Sequence, residues 1–300
     1  MAKKIKIPEP EEGIEFIDVH THIPFPRPKN DKLPPDEVQY KRYFESGGKY
    51  LITCSIDIQT LKLVLDFIKD KKSIGFTCGW APQTVTYTPK DKYSKEWEQW
   101  IAYIKSNPDD YLAIGEVGLD FHHAKTLEKR NKQISELKKV FEITKELKKP
   151  YILHVRNAAK HEFDREHPKH RFNKDDGATK EMLNILNEFS IVPKNVIWHC
   201  FSGPEKYGAL LSNQGFTLSV PSSAYSFERW QIVTKRASLN SLVTETDAYY
   251  QHPFLRGPIN EPSNVKYSIA AIAYTHNIPQ EEVSEKTIKN AMNFFRLDID

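Results

Sequence analysis

The chain has 300 residues, 39% hydrophobic and 28% charged, so it carries apolar material for a sizeable core and a well-solvated surface. That balance excludes disorder, collagen-like, coiled-coil and disulfide-scaffold classes, and no apolar run approaches the length of a membrane span. Lys and Arg total 43 against 40 Asp and Glu, leaving +3, too near neutral to argue for a protein that coats nucleic acid. An enzyme that meets phosphate at one local site remains compatible with it.

The N-terminus, Met1-Ala2-Lys3-Lys4-Ile5-Lys6-Ile7-Pro8, is basic but lacks an apolar h-region and a cleavage pattern, so a cytoplasmic protein is expected. Short, β-branched, nearly continuous apolar runs then recur at 14–19, 50–54, 73–78, 111–115, 151–153, 196–198, 216–220 and 242–246. Runs of this kind mark strands buried on both faces. Amphipathic stretches alternate with them. In the clearest, 128–147, Ile134, Leu137, Val140, Phe141, Thr144 and Leu147 recur at three- and four-residue steps, and Pro150 follows. Two further helical patterns, 261–275 and 281–295, follow the eighth strand around Pro279. Eight strands with intervening helices predict a parallel α/β sheet closed as a (β/α)₈ TIM barrel, with an open doubly wound sheet as the alternative. No linker or repeat divides the chain, so residues 1–300 are expected to form one domain.

One stretch breaks this rhythm. Residues 159–177 are polar, mixed in charge and nearly without aliphatics, the pattern of a surface insertion after strand five, on the catalytic face of a barrel. Its His161, His167 and His170 are taken as solvated. Cys54, Cys78 and Cys200 have no pairing or zinc-like spacing and are expected to be reduced, buried small hydrophobes without chemistry.

The chemistry-bearing residues collect at strand ends. Strand one ends in Asp18-Val19-His20-Thr21-His22, and alternation in an extended chain turns both imidazoles to one side. Strand four runs into Gly115-Glu116-Val117-Gly118-Leu119-Asp120, strand five ends in His154, strand six in His199 and strand eight in Asp247. Taken singly, each is an ordinary polar group at a strand end. Taken together, four histidines and two carboxylates at the carboxyl ends of five strands could hold two divalent ions with one carboxylate between them. Mixed His and carboxylate ligation suits Zn²⁺, Mn²⁺, Fe²⁺ or Co²⁺, with looser occupancy by Mg²⁺.

The blocks Phe16-Ile17-Asp18-Val19-His20-Thr21-His22, Ile114-Gly115-Glu116-Val117-Gly118-Leu119-Asp120-Phe121 and His154-Val155-Arg156-Asn157-Ala158 stand in a familiar order. His199-Cys200-Phe201-Ser202-Gly203, Thr244-Glu245-Thr246-Asp247-Ala248 and Asn260-Glu261-Pro262 continue it. In these motifs the chain resembles the TatD-type metal-dependent deoxyribonucleases of the amidohydrolase-like superfamily, over residues 15–297. The resemblance implies a (β/α)₈ barrel with two divalent ions. His20 and His22 would bind the first with Asp247 beside it, Glu116 would bridge, and His154 and His199 would bind the second. Departures are Tyr249 where the family has Pro, an N-terminal extension of about a dozen residues, and a longer 159–177 loop. None touches an expected ligand.

The expected reaction is hydrolysis of a phosphodiester in nucleic acid, DNA for preference and exonuclease-like, by a water that two ions activate, with Asp247 as general base. Arg156, two residues beyond His154, would clamp phosphate. His122, His123 and Ser202 are candidate substrate contacts, and Asp120 is expected to orient a histidine. Glu245 is expected deeper in the barrel, paired with a cation. Two other functions compete: amide or ester hydrolysis, deacylation included, on the same scaffold, and a non-enzymatic metal-bound interaction protein. Glu116, where many amide hydrolases use a carbamylated Lys, weighs against the first, though not against deacylases within the TatD-like group. The completeness of the ligand set weighs against the second. No membrane partner is expected, and oligomeric state is left open.

Overall fold

The computed structural model describes residues 7–24, 26, 34–158, 177–254 and 259–299. Its strands are β1 (Phe16–Thr21), β2 (Gly48–Ser55), β3 (Ile74–Trp80), β4 (Ala113–Asp120), β5 (Tyr151–Arg156), β6 (Val196–His199), β7 (Thr217–Pro221) and β8 (Leu242–Glu245). They pair in parallel, in chain order, as one eight-stranded sheet. All eight expected strands are present, so the barrel holds and the open doubly wound alternative falls.

The helices are α1 (Asp36–Glu45), α2 (Ile58–Ile68), α3 (Pro82–Tyr87), α4 (Lys90–Ser106) and α5 (Leu127–Thr144) in the first half. The second half adds α6 (Gly177–Glu188), α7 (Lys206–Asn213), α8 (Glu228–Arg236), α9 (Lys266–His276) and α10 (Gln280–Phe295). Local chemistry sets several of their starts. Asp57 accepts from the Thr60 N–H at 2.8 Å while Thr60 Oγ1 accepts from the Asp57 N–H at 3.1 Å, a reciprocal cap on α2. Thr126 accepts from the Lys129 N–H to open α5. The insertion expected at 159–177 lies outside the described residues except for Gly177, which is the first residue of α6 rather than part of a loop.

Strand alternation divides the core in two. Leu51, Leu153, Trp198 and Leu218 belong to the large cluster shared with helix residues such as Val64, Trp100, Phe141 and Ile185. Ile52, Ile152, Ile197 and Val243 form a second cluster, which Ala291 and Phe295 of α10 complete at the amino ends of the strands. Two residues further along those same strands, on the same side, stand Cys54, His154, His199 and Glu245. An apolar floor inside the barrel therefore carries a polar layer directly above it.

Strands β1 and β8 close the ring near that layer. The Asp247 N–H donates to the His20 carbonyl at 2.9 Å, and the His22 N–H to the Ala248 carbonyl at 2.7 Å. Buried Asp18 locks the seam. Its Oδ1 accepts from the backbone N–H groups of His20 at 3.1 Å and Thr246 at 3.0 Å, and its Oδ2 accepts from Thr246 Oγ1 at 2.5 Å. The segment before β1 also packs down: Ile7 is buried, its carbonyl accepts from Tyr225 Oη, and Gln280 of α10 holds the backbone of Glu9 and Glu11. Among the described residues no helix is long and apolar enough to cross a membrane.

Candidate metal centre

The carboxyl ends of the strands surround a cavity of about 460 Å³ whose walls include His22, Glu116, His154, His199 and Asp247. The sixth expected residue, His20, is buried beneath it, with its Nε2 3.3 Å from His22 Nε2. Glu116 stands in the middle. Its Oε2 is 3.7 Å from His20 Nε2 and 3.6 Å from His22 Nε2, and its Oε1 is 2.5 Å from His154 Nδ1 and 3.8 Å from His199 Nε2. Asp247 Oδ1 lies 3.3 Å from His22 Nε2 and 3.9 Å from His20 Nε2. The structure thus brings all six expected residues together around one point.

Backbone conformation helps aim them. Asp247 follows the end of β8 with φ of 52°, a left-handed conformation that few residues besides Gly, Asn and Asp adopt readily. The strand alternation expected through residue 247 therefore stops at Glu245, and Asp247 turns into the cavity by a backbone kink instead. At Gly118 a side chain is impossible, because a Cβ would sit 1.9 Å from the His154 carbonyl oxygen. This glycine lets β4 and β5 approach closely enough to bring Glu116 and His154 together.

The outer nitrogens of three imidazoles are held by acceptors of the protein. His22 Nδ1 faces the Cys54 carbonyl at 3.3 Å, His154 Nε2 faces Asp120 Oδ2 at 3.1 Å, and His199 Nδ1 faces Glu245 Oε2 at 3.2 Å. Each such contact fixes a proton on the outer nitrogen and turns the inner lone pair toward the cavity, the arrangement found behind metal-binding histidines. Of the inner atoms, His154 Nδ1 is buried without a well-aligned hydrogen-bond partner, despite its closeness to Glu116. Separations of 3.3 Å between donor atoms also match the edge of a tetrahedron with bonds of about 2.0 Å. The donor set fits divalent ions.

Charge points the same way. Burial, reinforced by His199, pushes His20 down to about 3, so it is a neutral ligand-type imidazole. Burial opposes charge on His154 and His199 as well, but Glu116 and Asp120 raise the first to about 10, and Glu245 and Glu116 raise the second to about 9, so the carboxylates draw onto each ring an extra proton that a bound cation would displace. Burial likewise pushes Glu116 up, yet His154 and its neighbours hold it well below the usual carboxylate range. Clustered carboxylates at the floor of a cavity call for positive charge.

Other expected residues fall into place unevenly. Arg156, His123 and Ser202 line the cavity; His122 does not, and packs edge-on against His123. Asp120 orients His154 as expected, and accepts from Gln83 Nε2 at 2.9 Å as well. Glu245 is fully buried, as expected, but pairs with no Lys or Arg. Its Oε2 accepts from Ser219 Oγ at 2.6 Å and faces His199. It is a positioning group for a histidine rather than a salt-bridge partner. Cys54 and Cys78 are free and buried as expected, whereas Cys200 is free but only half-buried. The Cys54 thiol accepts the Glu116 N–H at 3.1 Å, and Cys200 lies at the cavity wall. Burial pushes both thiols far up, away from the thiolate.

Sequence reasoning missed Arg229, whose guanidinium stacks on Trp230 at 3.7 Å and faces the same cavity as Arg156. Burial and the Arg156 charge both lower its affinity for its proton. The signal was present as Phe227-Glu228-Arg229-Trp230, but only the fold carries α8 over the mouth of the barrel. Tyr250, 58% exposed and 6.2 Å from the His22 ring, is a second missed wall residue.

A parallel barrel with imidazoles and carboxylates converging above its apolar floor defines a metal-dependent hydrolase. Comparisons with known proteins agree. A family model described as TatD related DNase matches residues 17–296, and the chain belongs to that family. It is 30% identical over 288 residues to deoxyribonuclease TATDN3 of Homo sapiens, covering 94% of this chain and 95% of that protein. It is also 27% identical over 283 residues to an uncharacterized metal-dependent hydrolase of Methanocaldococcus jannaschii, covering 94% and 98%. Among solved structures, the TatD homolog YJJV of Escherichia coli superposes with a TM-score of 0.75 at 21% identity, covering 94% and 98% of the two chains. A TatD family hydrolase of Entamoeba histolytica gives 0.74 at 17% identity, covering 95% and 99%.

Proposed function

We propose that this chain, as one domain, is a deoxyribonuclease that hydrolyses phosphodiester bonds at a strand end, with two divalent ions at the centre described above. His20, His22 and Asp247 would hold one ion, His154 and His199 the other, with Glu116 between them. Ions so placed supply positive charge to the phosphate and lower the pKa of water. The observation that carries the phosphate reading is the pair Arg156 and Arg229, two guanidiniums facing one cavity whose mutual repulsion an anion would relieve. The human relative's name, a deoxyribonuclease, favours DNA.

The protein's own groups divide the task. Arg156 and Arg229 grip the non-bridging oxygens and orient the phosphorus. Asp247, through the carboxylate oxygen that does not hold the ion, takes the proton that the attacking water gives up as the new P–O bond forms, and the leaving oxygen departs with a proton from solvent. Glu245 and Asp120 hold His199 and His154 in one tautomer and one orientation. Tyr250, which is exposed, supplies aromatic surface beside the phosphate grip, suited to stacking a terminal base. A cavity of about 460 Å³ has room for a nucleotide and not for a duplex, which is why a strand end is proposed.

The test compares hydrolysis of a single-stranded DNA, an RNA of the same sequence and an aminoacyl ester by one metal-loaded sample, for the wild type and for Arg156→Ala with Arg229→Ala. The proposal expects DNA to be cleaved, and KM for it to rise about tenfold or more in the double variant, as for lost charge-assisted contacts. Turnover of the ester alone, or a double variant with unchanged KM for DNA, would overturn it.

A further inference from the structure

A second cavity, of about 390 Å³, opens at the other mouth of the barrel, among the segments that lead into β5, β6, β7 and β8. Lys148 and Pro150 come from the entry to β5, Lys194 and Asn195 from the entry to β6, and Asn240 from the entry to β8. Asn293 and Phe294 of α10, with Arg296 just beyond it, complete the wall. Among the described residues no carboxylate lines this space. Nor do Lys148, Lys194 or Arg296 make an ion pair there, although surface lysines elsewhere in this chain, such as Lys71 and Lys138, do. Three exposed cations from three separate connections thus line one open cleft without a counter-ion.

From this placement we infer a second binding site, for a small organic phosphate, at the amino-terminal mouth of the barrel. The cations would neutralise the phosphate, and the side-chain amides of Asn195, Asn240 and Asn293 offer donors to its oxygens and to hydroxyl groups. Phe294 and Pro150 give an apolar surface for the rest of the molecule. The volume lies at the lower end of the range typical of small-molecule sites, about 300–1,000 Å³. The wall is held in advance of binding: Asn290 Nδ2 donates to the carbonyls of Leu239 at 2.9 Å and Leu242 at 2.7 Å, tying α10 to the entry of β8. Arg296 also sits at the carboxyl end of α10, where a cation is favoured on its own account. Lys148 likewise follows the carboxyl end of α5 and its 3-10 turn, and Lys194 lies in the 3-10 turn 193–195, so it is the convergence of the three on one cleft, not the placement of any one, that calls for an anion. The site is separate from the metal centre, since the two cavities share no lining residue and open at opposite ends of the strands.

Ribose 5-phosphate titrated calorimetrically into the metal-loaded full chain tests it. The wild type, Lys194→Ala with Arg296→Ala, and Arg156→Ala with Arg229→Ala are compared, with thermal midpoints recorded for all three. The inference expects binding that weakens about tenfold or more in the Lys194 and Arg296 variant and persists in the Arg156 and Arg229 variant. It also expects the first variant to keep the wild-type midpoint and phosphodiester turnover, because both side chains are exposed and far from the centre. Three results would overturn it: no binding below about 10 mM, binding that only the Arg156 and Arg229 variant loses, or displacement of the Lys194-dependent ligand by a single-stranded oligonucleotide, which would make this face a nucleic-acid surface.

Discussion

Asp247 and Glu245 stand two residues apart and have different partners, and that difference can be measured. Asp247 faces the cavity beside His22, so Asp247→Asn should lower phosphodiester turnover by about 10²–10⁴, the share of a general base, with little change in thermal midpoint. A variant with near-full turnover would assign the base elsewhere. Glu245 faces His199 Nδ1 and takes the Ser219 hydroxyl, so Glu245→Gln should act on ion binding through the histidine. An affinity loss of about 10–100-fold at the second ion, seen in metal titrations, is expected. Unchanged affinity with a lowered midpoint would restore the purely structural role that the sequence suggested. The sequence showed both carboxylates and the greater depth of Glu245, but gave Glu245 a cation as partner and reached Asp247 by strand alternation, whereas a left-handed residue is what turns it into the cavity. His154 and His199 were legible because β5 and β6 keep one register through them, and His20 and His22 stayed legible by their two-residue spacing although β1 shifts register against β2 between Asp18 and Thr21. Arg229 was not, since nothing local to α8 says which mouth of the barrel it covers.

At the scale of elements, the β1–β8 seam rests on one buried carboxylate. Asp18 binds backbone from both strands and the Thr246 hydroxyl, so Asp18→Ala leaves two N–H groups and a hydroxyl without an acceptor. A loss of about 2–3 kcal/mol is expected, read as a thermal midpoint lower by about 3–5 °C. An unchanged midpoint would mean that the seam is held by other contacts. The β4–β5 approach is the second structural condition for the centre. Gly118→Ala forces a methyl onto the His154 carbonyl and should separate Glu116 from His154, lowering ion occupancy beyond any loss of fold. Strand existence and order were legible from short apolar runs, because a parallel barrel buries both strand faces. Strand ends were less so: β5 continues to Arg156, because polar His154 and Arg156 interrupt the apolar run there and leave only Val155 to mark it.

The whole molecule separates its chemistry by face. Imidazoles, carboxylates and two arginines crown the carboxyl ends of the strands, an apolar floor fills the middle, and unpaired cations gather at the amino ends. A net charge of only +3 conceals this separation, which is why composition alone gave no hint of an anion site. The claim on which the rest depends is that the six side chains hold two ions and that both serve hydrolysis. The direct measurement is phosphodiester turnover of stripped protein as Mn²⁺ or Zn²⁺ is added in known equivalents, with bound metal determined on the same samples. Turnover should be absent without metal and should reach its plateau only as occupancy approaches two ions per chain, whereas Glu116→Gln should stall below that occupancy with little activity. Full turnover in stripped protein, or a plateau at one ion that Glu116→Gln shares, would contradict the account.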